Sequence, residues 1–162
     1  MVSIIVASDP KGVIGKDGGL PWYNKEDLKL FKERTTGNII IMGRITWDSL
    51  PKKPLPNRMN VVITRNKDLL AIEPENLDGP HFYPSLEEAV ADMKLLPDKQ
   101  IFVIGGEQIY KNALEKNLVN EIILSRMKER HEGDRFFPSL GPSWKLGKME
   151  AHDGFDVLHF RR

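Results

Sequence analysis

The run Ile39-Ile40-Ile41-Met42-Gly43-Arg44-Ile45-Thr46-Trp47-Asp48-Ser49-Leu50 carries the pattern from which the architecture follows. Its opening run is apolar at every position, which suits a strand covered on both faces and not one with a wet side. With Asn38 in front, it predicts a strand over residues 38–42. Gly43 then permits a sharp turn into a short helix. A doubly buried strand feeding a helix is the building unit of a parallel sheet.

The same pattern recurs at residues 2–7, 59–64, 100–105 and 121–127, and helical patterns fall between several of these runs. The helices are predicted over residues 24–35, 85–95 and 106–114, the second opened by the capping-box string Ser85-Leu86-Glu87-Glu88. From Trp144 onward, after a turn at residues 141–143, the imperfect alternation of Phe155, Val157 and Phe160 predicts antiparallel edge strands. Neither a repeat nor a linker interrupts the chain, so its 162 residues are expected to form one α/β domain, residues 1–162, with a mainly parallel sheet.

Composition narrows the function. Lys and Arg number 24 against 23 Asp and Glu, and neither sign forms a long block, so no nucleic-acid tail is expected. The absence of cysteine excludes a disulfide framework, thiolate metal sites and a cysteine nucleophile. Only four histidines occur, none paired at short ligand spacing, and no metal site is expected. The N-terminus has no basic region ahead of its apolar run, and no segment approaches the roughly 20 apolar residues of a membrane span. A cytoplasmic protein without a membrane partner is the expectation.

Chemistry concentrates at five places. On a helix over residues 24–35, Asp27 shares an arc with Leu28, Leu30 and Phe31, while Lys25, Glu26, Lys29, Lys32 and Glu33 fall opposite. Asp27 reads either as a first-turn acid meeting the helix dipole behind an Asn24 cap, or as a pocket acid that holds a polar ligand or a proton. The two roles are compatible. At Gly43 to Thr46 a strand ends in free backbone N–H groups, an arginine and a hydroxyl, a combination suited to anions. Gly105-Gly106-Glu107-Gln108-Ile109-Tyr110 repeats the device without the G-x-G-x-x-G fingerprint; its glycines serve a tight turn or a close ligand approach. Thr64-Arg65 closes a third strand with a cation that is either a phosphate grip or a surface arginine. Pro54-Leu55-Pro56-Asn57-Arg58 is a stiff loop delivering Arg58 to a defined place, as bidentate carboxylate capture would need.

Taken in order, Leu20-Pro21-Trp22, Asp27, Phe31, the string IIIMGRITWDSL, PLPNR, VVITR, VIGGEQIY and EGDRFFP resemble the dihydrofolate reductase family from Val2 to about Pro138. The resemblance implies a twisted, mainly parallel eight-stranded sheet with an antiparallel C-terminal strand and four flanking helices. It implies NADPH as cofactor, dihydrofolate as substrate, and hydride transfer from nicotinamide C4 to pterin C6 with a proton reaching N5 from water. Asp27 corresponds to the buried acid under the pterin ring, with Leu20 and Trp22 beside the reacting centre. Ile5, Val6, Ala7, Leu28, Phe31, Leu50 and Leu55 correspond to the pterin and benzoyl walls. Arg58 corresponds to the arginine on the glutamate carboxylate, with Lys32 at the same end, and Ser125 to a hydroxyl linking acid and pterin. Cofactor contacts fall by the same resemblance on Ala7, Ile14, Gly15, Gly43, Arg44, Ile45, Thr46, Thr64, Arg65, Ile104, Gly105, Gly106, Glu107, Gln108, Ile109 and Tyr110. A cis peptide is implied between Gly105 and Gly106, so that Gly106→Ala should damage cofactor binding. The glycine-rich loop over residues 12–20 corresponds to the one that closes over nicotinamide, tied by Asp134.

The chain departs from the family pattern in places. Lys25 replaces a common proline, Ile45 stands where a basic residue is frequent, Ser125 replaces threonine, and residues 144–162 match weakly. Ile45 leaves Arg44 and Arg65 as the main cationic grips for phosphate. A pyrimidine reductase of riboflavin synthesis shares fold and cofactor, but Asp27 in its helix and PLPNR speak against it. A folate- or nucleotide-binding protein without turnover is the other alternative, against which the intact Asp27, Trp22 and glycine pair argue. A monomer is the default expectation.

Overall fold

The computed structural model describes residues Met1–Arg162. Its main sheet has eight strands in the order β5-β4-β3-β6-β1-β7-β10-β9. These are β1 (Val2–Ser8), β3 (Ile39–Gly43), β4 (Met59–Ile63), β5 (His81–Tyr83), β6 (Ile101–Val103), β7 (Glu121–Met127), β9 (Lys145–His152) and β10 (Phe155–Arg161). Pairing is parallel from β5 through to β7; β10 runs antiparallel to both β7 and β9. Five helices flank it: α1 (Lys25–Thr35), α2 (Arg44–Ser49), α3 (Lys67–Leu70), α4 (Leu86–Met93) and α5 (Glu107–Glu115). A separate ribbon joins β2 (Val13–Gly15) to β8 (Arg135–Phe136).

The expected α/β architecture is present, with one correction: five helices stand where four were expected. The extra one, α3, is a single turn held by the Asn66 side chain, which accepts from the N–H groups of Asp68 and Leu69. It has no apolar periodicity to announce it. Strand β5 lacked a signal as well, because its three residues are only partly buried at the sheet edge.

Strand alternation splits the interior into two cores. Val2, Ile4 and Val6 of β1 join Ile122 and Leu124 of β7 beneath α4 and α5, whose Leu86, Ala89, Val90, Ile109, Tyr110 and Ala113 are all buried. This face is sealed. Ile5 belongs to the second core with Ile40, Met42, Ile123, Phe155 and Val157, under a cover of Trp22, Leu30, Phe31, Leu50 and Leu55 that is only partly buried. In α1 only Thr35 is buried. The second face is therefore a cleft floor with a loose lid, and function belongs there.

Candidate active site

The sheet changes direction between two neighbouring strands. From β3 the chain leaves through α2 toward β4 on one side, and from adjacent β6 it leaves through α5 toward β7 on the other. Ligands of open α/β sheets bind where connections diverge in this way. At that point Gly43, ending β3, donates its N–H to the carbonyl of Gly105 beyond β6 at 2.8 Å. The helices that start here, α2 and α5, have Gly43 and Gly106 as caps without any side-chain cap bond. Their first N–H groups thus remain available to an anion.

Close packing accounts for these glycines. A Cβ on Gly43 would lie 3.0 Å from Ile109 Cγ1, and Gly105 has φ +125° with the Tyr110 hydroxyl 3.3 Å from where its Cβ would be. The Gly105–Gly106 peptide is cis, as the resemblance implied. A Cβ on Gly106, by contrast, would meet nothing nearer than Thr46 Oγ1 at 3.5 Å, an ordinary contact. The residue that must be glycine is Gly105, which shifts the emphasis placed on Gly106.

The first turn of α1 carries Asp27. Asn24 Oδ1 accepts from the Asp27 N–H at 3.0 Å, so the cap is real, and the carboxyl is at the same time partly buried over the cleft floor. Burial raises its pKa above the ordinary carboxylate value; the Ser125 hydroxyl and the charges of Arg34 and His152 pull it partway back. Ser125 is buried on β7, in register with Ala7 of β1 and Val157 of β10. By alternation these side chains share the floor with Ile5 and Ile123.

At the other end of α1 stands Arg58, 5% exposed, donating Nε–H to the Pro56 carbonyl at 3.0 Å and an Nη1–H to Thr35 Oγ1 at 3.2 Å. No carboxylate lies within ion-pair distance of it. Burial lowers its pKa and the charge of Asp78 partly offsets this. A guanidinium has five donors, so three remain for a ligand. A nearly buried cation without an anion is costly in the folded chain and becomes favourable when a carboxylate arrives. From Asp27 to Thr35, whose hydroxyl Arg58 touches, eight helical steps rise about 12 Å along the axis. Phe31, Leu50 and Leu55 cover the floor on this side.

Several expected site residues sit elsewhere. Val6, named for the pterin wall, points into the sealed core because alternate residues of β1 face opposite ways. Ile109 and Tyr110 are also buried in the sealed core; the Tyr110 hydroxyl donates to the Ile5 carbonyl at 2.9 Å, so it supports the floor from below. Ile14 packs against the same core. Leu28 is 46% exposed, and Lys32 is exposed. The Glu107 carboxylate accepts from the Phe136 N–H at 2.6 Å and is thereby turned toward β8, while Gln108 faces solvent. Ala7 and Ile104 pack against the floor.

The three cationic candidates differ. Arg65 is exposed and makes no ion pair, and Thr64 Oγ1 before it accepts from the Asn66 N–H at 3.1 Å, which fixes the turn. Arg44 is bound to Asp48 one turn on, at 3.5 Å, so an anion must compete with that carboxylate. Ile45 is 75% exposed and offers no charge.

The loop at residues 12–20 is tied to the β8 segment as expected: Asp134 N–H donates to the Gly15 carbonyl at 2.9 Å, and Asp134 Oδ2 accepts from the Asp17 N–H at 3.2 Å. Two anchors went unread in the sequence. Buried Asp9 accepts from the N–H groups of Lys11, Val13 and His131. Gly133 fits so closely against Val13 and Gly15 that no side chain has room. Trp22 tilts against His131, ring centroids 5.2 Å apart, and its indole N–H is enclosed without a protein acceptor. Leu20 beside it is 50% exposed.

Comparison with known proteins agrees with this geometry. The dihydrofolate reductase family profile matches residues 1–158. The chain is 36% identical to dihydrofolate reductase 1 of Haloarcula marismortui over 173 residues, covering 98% of this chain and 90% of that relative. It is 41% identical to dihydrofolate reductase of Mycobacterium tuberculosis H37Rv over 150 residues, covering 90% and 84%. Against dihydrofolate reductase of Bacillus subtilis the identity is 38% over 151 residues, covering 93% and 83%. A profile match over residues 1–158, together with these identities across most of each chain, means that this oxidoreductase belongs to the dihydrofolate reductase family.

Proposed function

We propose that the chain reduces 7,8-dihydrofolate to 5,6,7,8-tetrahydrofolate with NADPH as the hydride source. The observation that carries this is the pairing of Asp27 and Arg58 over an apolar floor, at the two ends of α1. That arrangement suits a flat polar head at one end, an aromatic linker between, and a carboxylate at the other end. Asp27 is held over the floor where it can accept from an amino group and a ring N–H of the head. Burial raises its pKa above the ordinary carboxylate value, so that it exchanges a proton with the head more readily than an exposed carboxylate would. Ile5, Phe31, Leu50 and Leu55 exclude water from the linker, and Arg58 grips the terminal carboxylate through its free donors.

The cofactor's place is the crevice between Gly43 and Gly105. The caps of α2 and α5 offer N–H groups to its pyrophosphate, while Arg65, with Arg44 once released from Asp48, suits an additional phosphate on the adenosine ribose. When bound, the nicotinamide supplies the hydride that the pterin C6 receives. The protein supplies orientation and exclusion of water, with the loop over residues 12–20 closing the site. We further infer a monomer acting in the cytoplasm on a small-molecule substrate. No helix of the chain is long and apolar enough to cross a membrane.

The test is the loss of reduced-nicotinamide absorbance with purified protein and dihydrofolate, run with NADPH and with NADH. Oxidation that needs dihydrofolate, prefers NADPH and falls by orders of magnitude in Asp27→Asn supports the reading. Quenching of tryptophan fluorescence by NADPH without oxidation overturns it in favour of a binding protein. In the same assay, Arg65→Gln should raise the KM for NADPH about tenfold and leave that for NADH unchanged.

A further inference from the structure

The tip of the β9–β10 hairpin lies against the first turn of α1. A Cβ on Gly154 would be 3.5 Å from Asn24 Nδ2, the cap of that helix. His152 Nδ1 is 2.8 Å from Glu26 Oε1, and its ring stacks on fully buried Phe155 with centroids 4.9 Å apart and 6° between planes. Its Nε2 is enclosed with no protein partner. Register places Met127, Phe155 and His152 in one row across β7, β10 and β9, and Ser125, Val157 and Glu150 in the next row on the same face, two positions on. His152 therefore reaches the cleft face one row from Ser125, under the residue adjoining Asp27.

We propose that the Glu26–His152 pair is a positioning device for Asp27: braced on Phe155, it fixes the first turn of α1 and places a switchable charge beside the acid, coupling the hairpin tip to the proton held at the substrate head. This rests on the reading of Asp27 as the acid that faces the substrate. The other charged groups on this side are already matched. Glu150 of β9 meets Arg34 of α1 at 3.4 Å, His159 of β10 at 3.1 Å and Lys148 at 3.5 Å, and Arg161 meets Glu121 of β7 at 2.7 Å. Lys25, Lys29, Lys32 and Glu33 are exposed, as is Asp153 at the turn, and Asp156 falls on the opposite face of β10 by alternation. His131 packs on Trp22. Imidazole is the side chain that changes charge nearest neutral pH, and His152 is the one held against the Asp27 turn. A positive charge there favours the Asp27 carboxylate, and its loss makes the carboxyl hold its proton more firmly.

The test is the pH profile of dihydrofolate reduction for the wild type, His152→Gln, His152→Lys and Asp27→Asn, with kcat and KM separated. His152→Gln should move the midpoint upward by about 0.5–1 pH unit, and His152→Lys, which keeps a positive charge, should bring it back to or below the wild-type value. Should either variant misfold, carbon NMR of the wild-type Asp27 carboxyl across pH should show a second inflection that coincides with a change in the His152 ring signals. An unmoved midpoint, a uniform loss of rate without a shift, or a single-step carboxyl titration overturns the proposal. Asp27→Asn with an unaltered rate and profile overturns the reading of Asp27 itself. A silenced Asp27→Asn beside an unmoved His152→Gln midpoint overturns only the role of the pair.

Discussion

Replacing Gly133 with alanine should unfasten the loop that covers the site while leaving the main sheet in place. A Cβ at Gly133 would stand 2.5 Å from the Gly15 carbonyl oxygen and even closer to Val13 Cγ1, whereas ordinary contact begins at 3.4 Å. The β2 segment must retreat by 3.4 − 2.5, about 0.9 Å. That displacement stretches the Asp134 N–H bond to the Gly15 carbonyl from 2.9 Å to about 3.8 Å, beyond hydrogen-bond range. Overpacking of this kind costs about 1–3 kcal/mol. Because β2 and β8 pair only with each other, the cost falls on their ribbon. The expected result is faster hydrogen exchange over residues 12–20 and at least a tenfold fall in single-turnover hydride transfer, with most of the thermal stability retained. Gly141→Ala, where a Cβ meets nothing within 4 Å, is the control. Exchange and turnover in Gly133→Ala within twofold of the wild type would show that the fit at Gly133 does not hold the loop.

Asp27 should stabilise the fold less than its amide does near neutral pH. A carboxyl raised by burial contributes fully below its unfolded value of 3.8 and loses that contribution as pH rises through the folded value. Asp27→Asn should thus melt higher than the wild type at pH 7, and a lower melting temperature would count against the burial argument. Asp9 has the opposite sign. Burial would raise it, but the N–H groups of His131, Val13 and Lys11 outweigh burial and hold it low, so its contribution is present above 3.8 and is lost as pH falls through the lower folded value. Asp9→Asn leaves one N–H unmet, should cost about 1–3 kcal/mol at pH 7, and should narrow its gap from the wild type in acid melts, whereas a gap independent of pH would contradict this. Arg58→Leu should weaken dihydrofolate binding about 10- to 100-fold with cofactor affinity unchanged, as titration calorimetry would register; an effect confined to the cofactor would redraw the site.

Much of the sheet could be read from the chain because its central strands are uninterrupted apolar runs, and the parallel arrangement follows from burial on both faces. The capping role of Asn24 and the position of Asp27 on the cleft arc were legible from helical spacing. Which face of β1 lines the cleft was not. Every side chain of that run is apolar, so alternation leaves no mark in the sequence, and Val6 was placed with Ile5 although they belong to opposite cores. The His152–Glu26 contact spans 126 positions, joins two ordinary surface residue types, and depends on a hairpin register that weak alternation did not fix. Gly133 is similar: its requirement comes from β2, more than a hundred residues earlier, and not from its own turn.

The place of β1 at the centre of the sheet bears on how the chain is made. Val2 pairs with Ile101, and Ser3 pairs on its other side with Glu121. On the ribosome, β1 is made about a hundred residues before either of its neighbours. The nascent chain therefore carries an apolar strand with both edges open while the segment between β1 and β6 is added, at a synthesis rate of about 5–20 residues per second. Such a strand is a template for pairing with other chains. Slow codons or a pause between residues 70 and 120 would lengthen that exposure, whereas changes downstream of β7 would not.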